Sequence, residues 1–283
     1  MHDIHKSFGA TKALQGVGFS VYPGEVHALV GENGAGKSTL MKVLSGAIRS
    51  DQGQMLLDDE PFRPRNPLDG RRRGVAMIYQ ELSLAPHLTV MENIFLGMEP
   101  TRFMLVDWAK LRRLAAEALH ELEHDDIPPD ALVKHLSPGD CQLVEIARAI
   151  AVGCQVLVLD EPTSSLTLAD TERLFQLIAR LKDQGMAIVY ISHFLEEVKA
   201  VSDRFTVLRD GCLAGQGETV NASIPRIVSM MVGRDVDDIF PRSEHHPGKI
   251  VLQCSHLAGR RKPESTSLAL RSGEVVGIAG LVG

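Results

Sequence analysis

Residues 31–38 read Gly-Glu-Asn-Gly-Ala-Gly-Lys-Ser, and this stretch decides the fold. It matches G-x-x-x-x-G-K-[ST]. An apolar run, Val26–Val30, precedes it, and Thr39-Leu40-Met41-Lys42-Val43-Leu44 continues it as a helix. Glycines let the backbone fold tightly, so that successive N–H groups face inward. The helix that follows adds the positive end of its dipole. Lys37 can reach the β- and γ-phosphates of a nucleotide, and the Ser38 hydroxyl can ligate Mg²⁺. The residues expected to hold the nucleotide are Gly31, Glu32, Asn33, Gly34, Ala35, Gly36, Lys37, Ser38 and Thr39. The competing reading is an ordinary glycine-rich turn between a strand and a helix.

Working outward, Val156-Leu157-Val158-Leu159-Asp160-Glu161 is an apolar strand ending in two carboxylates. Asp160 can hold Mg²⁺. Glu161 can orient an attacking water or take its proton. A strand followed by an acidic helix cap is the plainer alternative. Beside the phosphate cradle, the pair points to a nucleotide triphosphatase.

Val75–Tyr79 and Ala187–Ile191 are further short apolar runs, as expected of parallel strands covered on both faces. Helical patterns lie between the runs: Trp108–Glu123, Gln142–Ala151 and Thr171–Gln184. Strands alternating with helices predict an α/β fold with a parallel core. Thr206–Ala214 carries Asp210-Gly211 at its centre, a hairpin signal, and Gln54–Asp59 reads as a short edge strand. Residues 86–150 are richer in helix and are expected to form a subdomain.

The chain has 283 residues, of which 44% are hydrophobic and 23% charged, so wholesale disorder is excluded. Its net charge of −6 disfavours generic nucleic-acid binding, and Arg71-Arg72-Arg73 reads as a solvated loop. The four cysteines form no C-x-x-C pair, so they read as reduced thiols. His245-His246 reads as a solvated pair rather than a metal site, and Trp108 as a helix-packing residue. No run approaches 18 apolar residues and the N-terminus has no apolar signal core. The expectation is an intracellular, slightly acidic protein whose membrane role comes through a partner.

Residues 136–150, LSPGDCQLVEIARAI, narrow the class. They resemble the Leu-Ser-Gly-Gly-Gln signature of ATP-binding cassette (ABC) proteins. Ser137 as N-cap, Pro138 at N1 and Asp140 as the return partner of a capping box is a compatible local reading. Further marks resembling the family follow in order. Phe8 resembles the aromatic that stacks on adenine; a core phenylalanine is the alternative. Gln80 resembles the glutamine that touches Mg²⁺ and the attacking water. Ser164-Ser165-Leu166-Thr167 resembles the D-loop, and His193 the switch histidine at the γ-phosphate. The resemblance covers residues 1–240. It implies a mixed, mostly parallel core sheet, an antiparallel β subdomain and a helical signature subdomain. It further implies ATP and Mg²⁺ as ligands, Ser137 and Gly139 as γ-phosphate donors, and Ser38, Gln80 and Asp160 around the metal.

MIYQELSLAPHLTVMENIFLG around Gln80, and EPTSSLT with Thr167 where many cassettes carry aspartate, are similar to the ATPases of bacterial monosaccharide importers. Such proteins carry two cassettes in tandem. Here FSVYPGEVHALVG at 19–31 is echoed by LALRSGEVVGIAG at 268–280, so residue 19 becomes 268 at a fixed offset of 249. The expected organisation is a first cassette over 1–240, a linker over 241–249 and the opening of a second cassette over 250–283. The start near the first motif suggests that part of the first strand's edge is missing. The implied partners are membrane permease subunits, a second cassette and, indirectly, a periplasmic sugar-binding protein. Nucleic acid is not among them. The implied location is the cytoplasmic face of the bacterial inner membrane, as a peripheral subunit.

Two signature positions depart from the family pattern: Pro138 at the third and Asp140, where glutamine is usual, at the fifth. Asp140 keeps the cap but brings negative charge towards ATP, which predicts a lowered rate. Non-transport cassettes acting on ribosomes or DNA stay in view, as does a regulatory domain without turnover. The two phosphate-facing motifs lie about 120 residues apart without a heptad insertion, which favours transport.

Overall fold

The computed structural model describes residues 1–80, 83–233, 247–259, 262 and 264–277. The chain opens with strands β1 (His2–Phe8), β2 (Thr11–Val17) and β3 (Val26–Val30), then helix α1 (Lys37–Leu44). Short strands β4 (Gln52–Gln54), β5 (Leu56–Leu57) and β6 (Glu60–Pro61) lead to α2 (Pro67–Arg72) and β7 (Val75–Ile78). A helical stretch follows, with α3 (Val90–Phe95), the small hairpin β8 (Thr101–Arg102) and β9 (Leu105–Val106), α4 (Trp108–Glu121) and α5 (Pro138–Ile150). Next come β10 (Val156–Asp160), α6 (Leu168–Asp183), β11 (Ala187–Ile191), α7 (Leu195–Val201), β12 (Arg204–Arg209), β13 (Cys212–Glu218) and α8 (Ile224–Val232). A separate antiparallel pair, β14 (Ile250–Leu257) and β15 (Thr266–Arg271), ends the described elements. The chain divides into two units, Met1–Arg234 and Asp235–Gly283.

The first unit is built on a six-stranded sheet of order β13-β12-β3-β11-β10-β7. Every neighbouring pair in it is parallel except β12–β13 at one edge. β3 and β11 are buried at every position, which is why their sequences do not alternate. Their side chains still divide by period two. Leu157, Leu159, Ile188 and Tyr190 face a core shared with Leu111, Ile146 and Leu177 of the helices. Val156, Val158, Val189 and Ile191 face the opposite core, with Ile4, Leu14, Leu40 and Met41. That second layer includes an antiparallel sheet of order β2-β1-β4. The fold is α/β, as the alternating pattern predicts.

Local signals explain most boundaries. Asp210 and Gly211 take φ of 51° and 74°, the paired left-handed turn that suits a two-residue hairpin. α5 starts at Pro138, four residues before the apolar pattern at Gln142, because Ser137 and Asp140 close a capping box around it. α6 likewise starts at Leu168, behind the Thr167 cap. The expected single edge strand over 54–59 is broken instead: Gln54 ends β4, and only Leu56–Leu57 form β5. Asp58 and Asp59 take φ of 50° and 62°, and β5 folds back on β6 across them.

Two lesser expectations are corrected. Trp108 is 54% exposed rather than packed, because it occupies the first turn of α4 beyond the Asp107 cap. Arg71 and Arg72 are helical, and Arg71 is half-buried, with its pKa lowered to about 10 by burial. Arg73 lies over the Phe62 ring at 4.9 Å and donates to the Pro61 carbonyl at 3.0 Å. No helix among the described residues is long and apolar enough to cross a membrane. His245-His246, residues 241–246 of the expected linker and the last residues of the echo, 278–280, lie outside the described residues.

Candidate functional site

β3 ends at the centre of the sheet, and the cradle 31–38 begins there. Ligands in such sheets bind at the carboxyl ends of the strands. Gly31 (φ 155°) and Gly36 (φ 105°) are each required by close approach. A Cβ on Gly31 would collide with the Leu208 carbonyl, and one on Gly36 would sit 2.7 Å from the Ala13 carbonyl. The β12–β13 turn closes on the cradle from behind, where Gly211 N–H donates to the Ala35 carbonyl at 3.1 Å.

Lys37 opens α1 and is 7% exposed. Its ammonium donates to the carbonyls of Gly31 at 2.7 Å and Glu32 at 3.0 Å, holding the loop closed on itself. Burial lowers its pKa, and the carboxylates of Glu161 and Asp160 oppose that shift. Asp160 ends β10, and its pKa is raised by burial and by the neighbouring Glu161 charge.

Glu161, the next residue, takes a left-handed φ of 48°, a conformation that costs free energy in a non-glycine residue. Its N–H donates to the Ile191 carbonyl at 2.9 Å. Its two oxygens are each engaged. Oε1 lies 3.1 Å from His193 Nδ1, and Oε2 accepts from Gln80 Nε2 at 3.1 Å. A cleft of ≈ 600 Å³ is lined by Gly31, Glu32, Asn33, Gln80, Glu161, His193 and Met231. Residues predicted from four separate stretches are thus brought to one place.

Oxygen donors of the kind Mg²⁺ takes are present at the cradle: the exposed Ser38 hydroxyl, the Asp160 carboxylate and the Gln80 amide. This donor chemistry fits the ion. Among the described residues no cluster of His, Cys, Asp and Glu forms a self-contained metal cage.

Other predicted residues stand apart from the cleft lining. Phe8 ends β1 and is 52% exposed, with the Lys6 ammonium 5.6 Å from its ring centroid. It is not a core phenylalanine. Ser137 and Asp140 form the predicted capping box: Ser137 Oγ donates to Asp140 Oδ2 at 2.8 Å and accepts from Asp140 N–H at 3.1 Å. Beside them, Gly139 faces the Asp170 side chain, which a Cβ would meet at 3.1 Å. The amino end of α5 thus lies against the first turn of α6.

Three residues escaped the sequence reading. Met231, near the end of α8, lines the cleft. Glu145 of α5 accepts from Ser83 N–H at 2.8 Å and Ser83 Oγ at 3.1 Å, tying the segment after Gln80 to the signature helix. It borders a hollow of ≈ 540 Å³ with Arg71 and Arg148, away from the cradle, and burial raises its pKa. Glu197 of α7 accepts from three hydroxyls. Its only sequence signal was an acidic pair in a helix's first turn.

The chain is 48% identical to the ribose import ATP-binding protein RbsA of Chromobacterium violaceum over all 283 of its residues, spanning 56% of that protein's length. It is 46% identical to the like-named protein of Caldanaerobacter subterraneus, spanning 57% of it. Among solved structures, an ATP-binding cassette of an ABC transporter in its ADP conformation superposes with a TM-score of 0.71 at 28% identity, over 82% of this chain and 97% of that one. A nucleotide-free ABC transporter cassette gives 0.71 at 25% identity, over 85% and 98%. The ABC transporter family model matches residues 14–164, more than half of the sequence, and the chain therefore belongs to the ABC transporter family.

Proposed function

We propose that this chain is the ATP-binding and hydrolysing part of a bacterial importer of a monosaccharide. It would act at the cytoplasmic face of the inner membrane through a separate permease. The observation that carries the hydrolytic part is the convergence of Gln80 and His193 on the Glu161 carboxylate beside the cradle. The likeness to ribose import ATP-binding proteins supports the sugar class.

In this reading the backbone N–H groups of 31–36 hold the β- and γ-phosphates, and Lys37 exchanges its two carbonyl partners for phosphate oxygens. Mg²⁺, held by Ser38, Asp160 and Gln80, would neutralise charge on the phosphates. Glu161 orients a water and accepts its proton as the water oxygen bonds to the γ-phosphorus. The bond from that phosphorus to the bridging oxygen breaks and ADP leaves. His193 holds the γ-phosphate, and its contact with Glu161 keeps that carboxylate aimed. Phe8 offers its exposed face to adenine. Gly139, at the amino end of α5, lies against Asp170 of α6 in its own chain, and in this reading the site is completed by the corresponding amino end of α5 from another cassette. The cap at Ser137 and Asp140 holds that end ready.

The second unit is proposed as the opening of that other cassette, with the polar stretch around 241–249 as linker. The 249-residue offset recurs in its backbone. Gly24 and Gly273 take φ of 70° and 73°. Tyr22 N–H donates to Glu25 Oε2 at 3.3 Å, and Arg271 N–H donates to Glu274 Oε2 at 2.8 Å. Glu25 N–H donates to the Tyr22 carbonyl at 3.1 Å, and Glu274 N–H to that of Arg271 at 3.2 Å.

Phosphate release by the purified chain with Mg²⁺-ATP, with and without its permease, tests the reading. Hydrolysis that the permease and sugar-binding protein stimulate would support it. Absence of phosphate release in both settings would reject it.

A further inference from the structure

The two loops that carry Glu161 and His193 share an anchor that neither motif contains. Glu197 Oε1 accepts from Thr163 Oγ1 at 2.8 Å, and its Oε2 accepts from Tyr190 OH at 2.8 Å and Ser192 Oγ at 2.8 Å. Ser192 Oγ in turn accepts from Phe194 N–H at 3.0 Å, so the backbone on both sides of His193 is held. Thr163 lies two residues beyond Glu161, and Ser192 immediately before His193.

A carboxylate is acceptor-only. Three neutral hydroxyls aimed at one such group form a directed cluster, each donor leaving its own oxygen free to accept. Tyr190 and Ser192 are 0% and 1% exposed, so their hydroxyls depend on these partners. Burial and the adjacent Glu197 raise the Tyr190 pKa, keeping the phenol a donor. Leu195 and Val198, buried on α7, hold Glu197 in place, while the adjacent Glu196 points to solvent.

We infer that Glu197 is a positioning residue that locks the loop after Glu161 and the loop bearing His193 into one unit, so that the two reacting side chains keep their mutual geometry. The inference rests on the hydrolytic reading of Glu161 and His193. It goes beyond that reading by assigning their alignment to a group outside the cleft.

Glu197→Ala would remove the acceptor of three hydroxyl donors at once and so threatens the fold, so the arms are cut singly. Thr163→Val removes the link to the Glu161 loop and Ser192→Ala the link to the His193 loop; Glu196→Gln serves as control. Hydrogen exchange of the whole chain, read over 161–167 and 191–198, is expected to quicken about fivefold in both segments for either variant, since one lost hydrogen bond frees both loops. The control stays at parental rates. In steady-state ATP hydrolysis, kcat is expected to fall about tenfold or more with KM within about twofold, as misplacement of reacting groups demands. Exchange that quickens only in the substituted segment overturns the inference, as does a parental kcat despite loosening of both. A parent chain without turnover would reject the hydrolytic reading alone, because hydrogen exchange still decides whether the lock exists.

Discussion

The imidazole Nδ1 of His193 stands 3.1 Å from Oε1 of Glu161, on the far side of the carboxylate from Gln80. Sheet register produces this meeting. β10 and β11 run parallel with Asp160 opposite Ile191, so the residues that follow the two strands emerge side by side above the sheet. The acidic residue after one strand and the histidine after the other are therefore neighbours. Gln80 reaches the same point from the end of β7, the next strand across.

Glu161→Gln keeps the shape of this cluster but removes its proton acceptor. Turnover is expected to fall at least about a hundredfold while nucleotide affinity stays within a few-fold. Phosphate release and nucleotide titration measure the two separately. Full-rate hydrolysis would remove Glu161 from the role of base.

Lys37→Ala takes away an ammonium that burial disfavours in its charged form. The apo chain is thus expected to fold as before, while ATP affinity drops about tenfold to a hundredfold with the loss of charge-assisted bonds to phosphate. Unchanged affinity in a fluorescence titration would sink the cradle assignment.

Asp160 predicts a pH dependence with a definite sign. Burial first, then the Glu161 charge, raise its folded-state pKa above the unfolded value. Ionising it therefore costs stability once the pH exceeds the folded pKa, and costs nothing below the unfolded one. Asp160→Asn is expected to raise the apo melting temperature by about 2–4 °C at pH 8. The gain should vanish as the pH drops below about 4, and Mg²⁺-ATP should reverse it by favouring the parent. Thermal scans across that range decide the matter; a variant that melts no higher than the parent at pH 8 would contradict it.

Asp140→Gln tests the departure in the signature turn. Glutamine can also return the bond of a capping box, so the melting temperature is expected to hold within about 2 °C. Turnover should rise as the negative charge leaves the amino end of α5. Ser137→Ala, by contrast, removes the cap acceptor and is expected to cost about 1 kcal/mol of stability, read by chemical denaturation. If Asp140→Gln hydrolyses no faster than the parent, the charge at that position is not what limits the rate.

Local chemistry made much of this protein legible in its sequence. The glycine spacing around Lys37, the four unalternating strands and the Ser137–Asp140 cap each depend on residues within a few positions of one another; the cap stands as expected, and the strands stand within one residue of their expected ends, β7 closing at Ile78 and β10 at Asp160. The two short pieces at 56–61 and the exposed Trp108 were harder to read, because turn conformation and a helix's first-turn position overrode a simple pattern. The tertiary structure alone decided which of the marked residues meet. Register across β7, β10 and β11 gathers Gln80, Glu161 and His193, while Gly139 faces Asp170 of α6 instead. It also revealed Met231 at the cleft and Glu197 joining Thr163 to Ser192. Their roles depend on contacts between segments distant along the chain, and periodicity within one segment carries no information about which side chains another element brings against it.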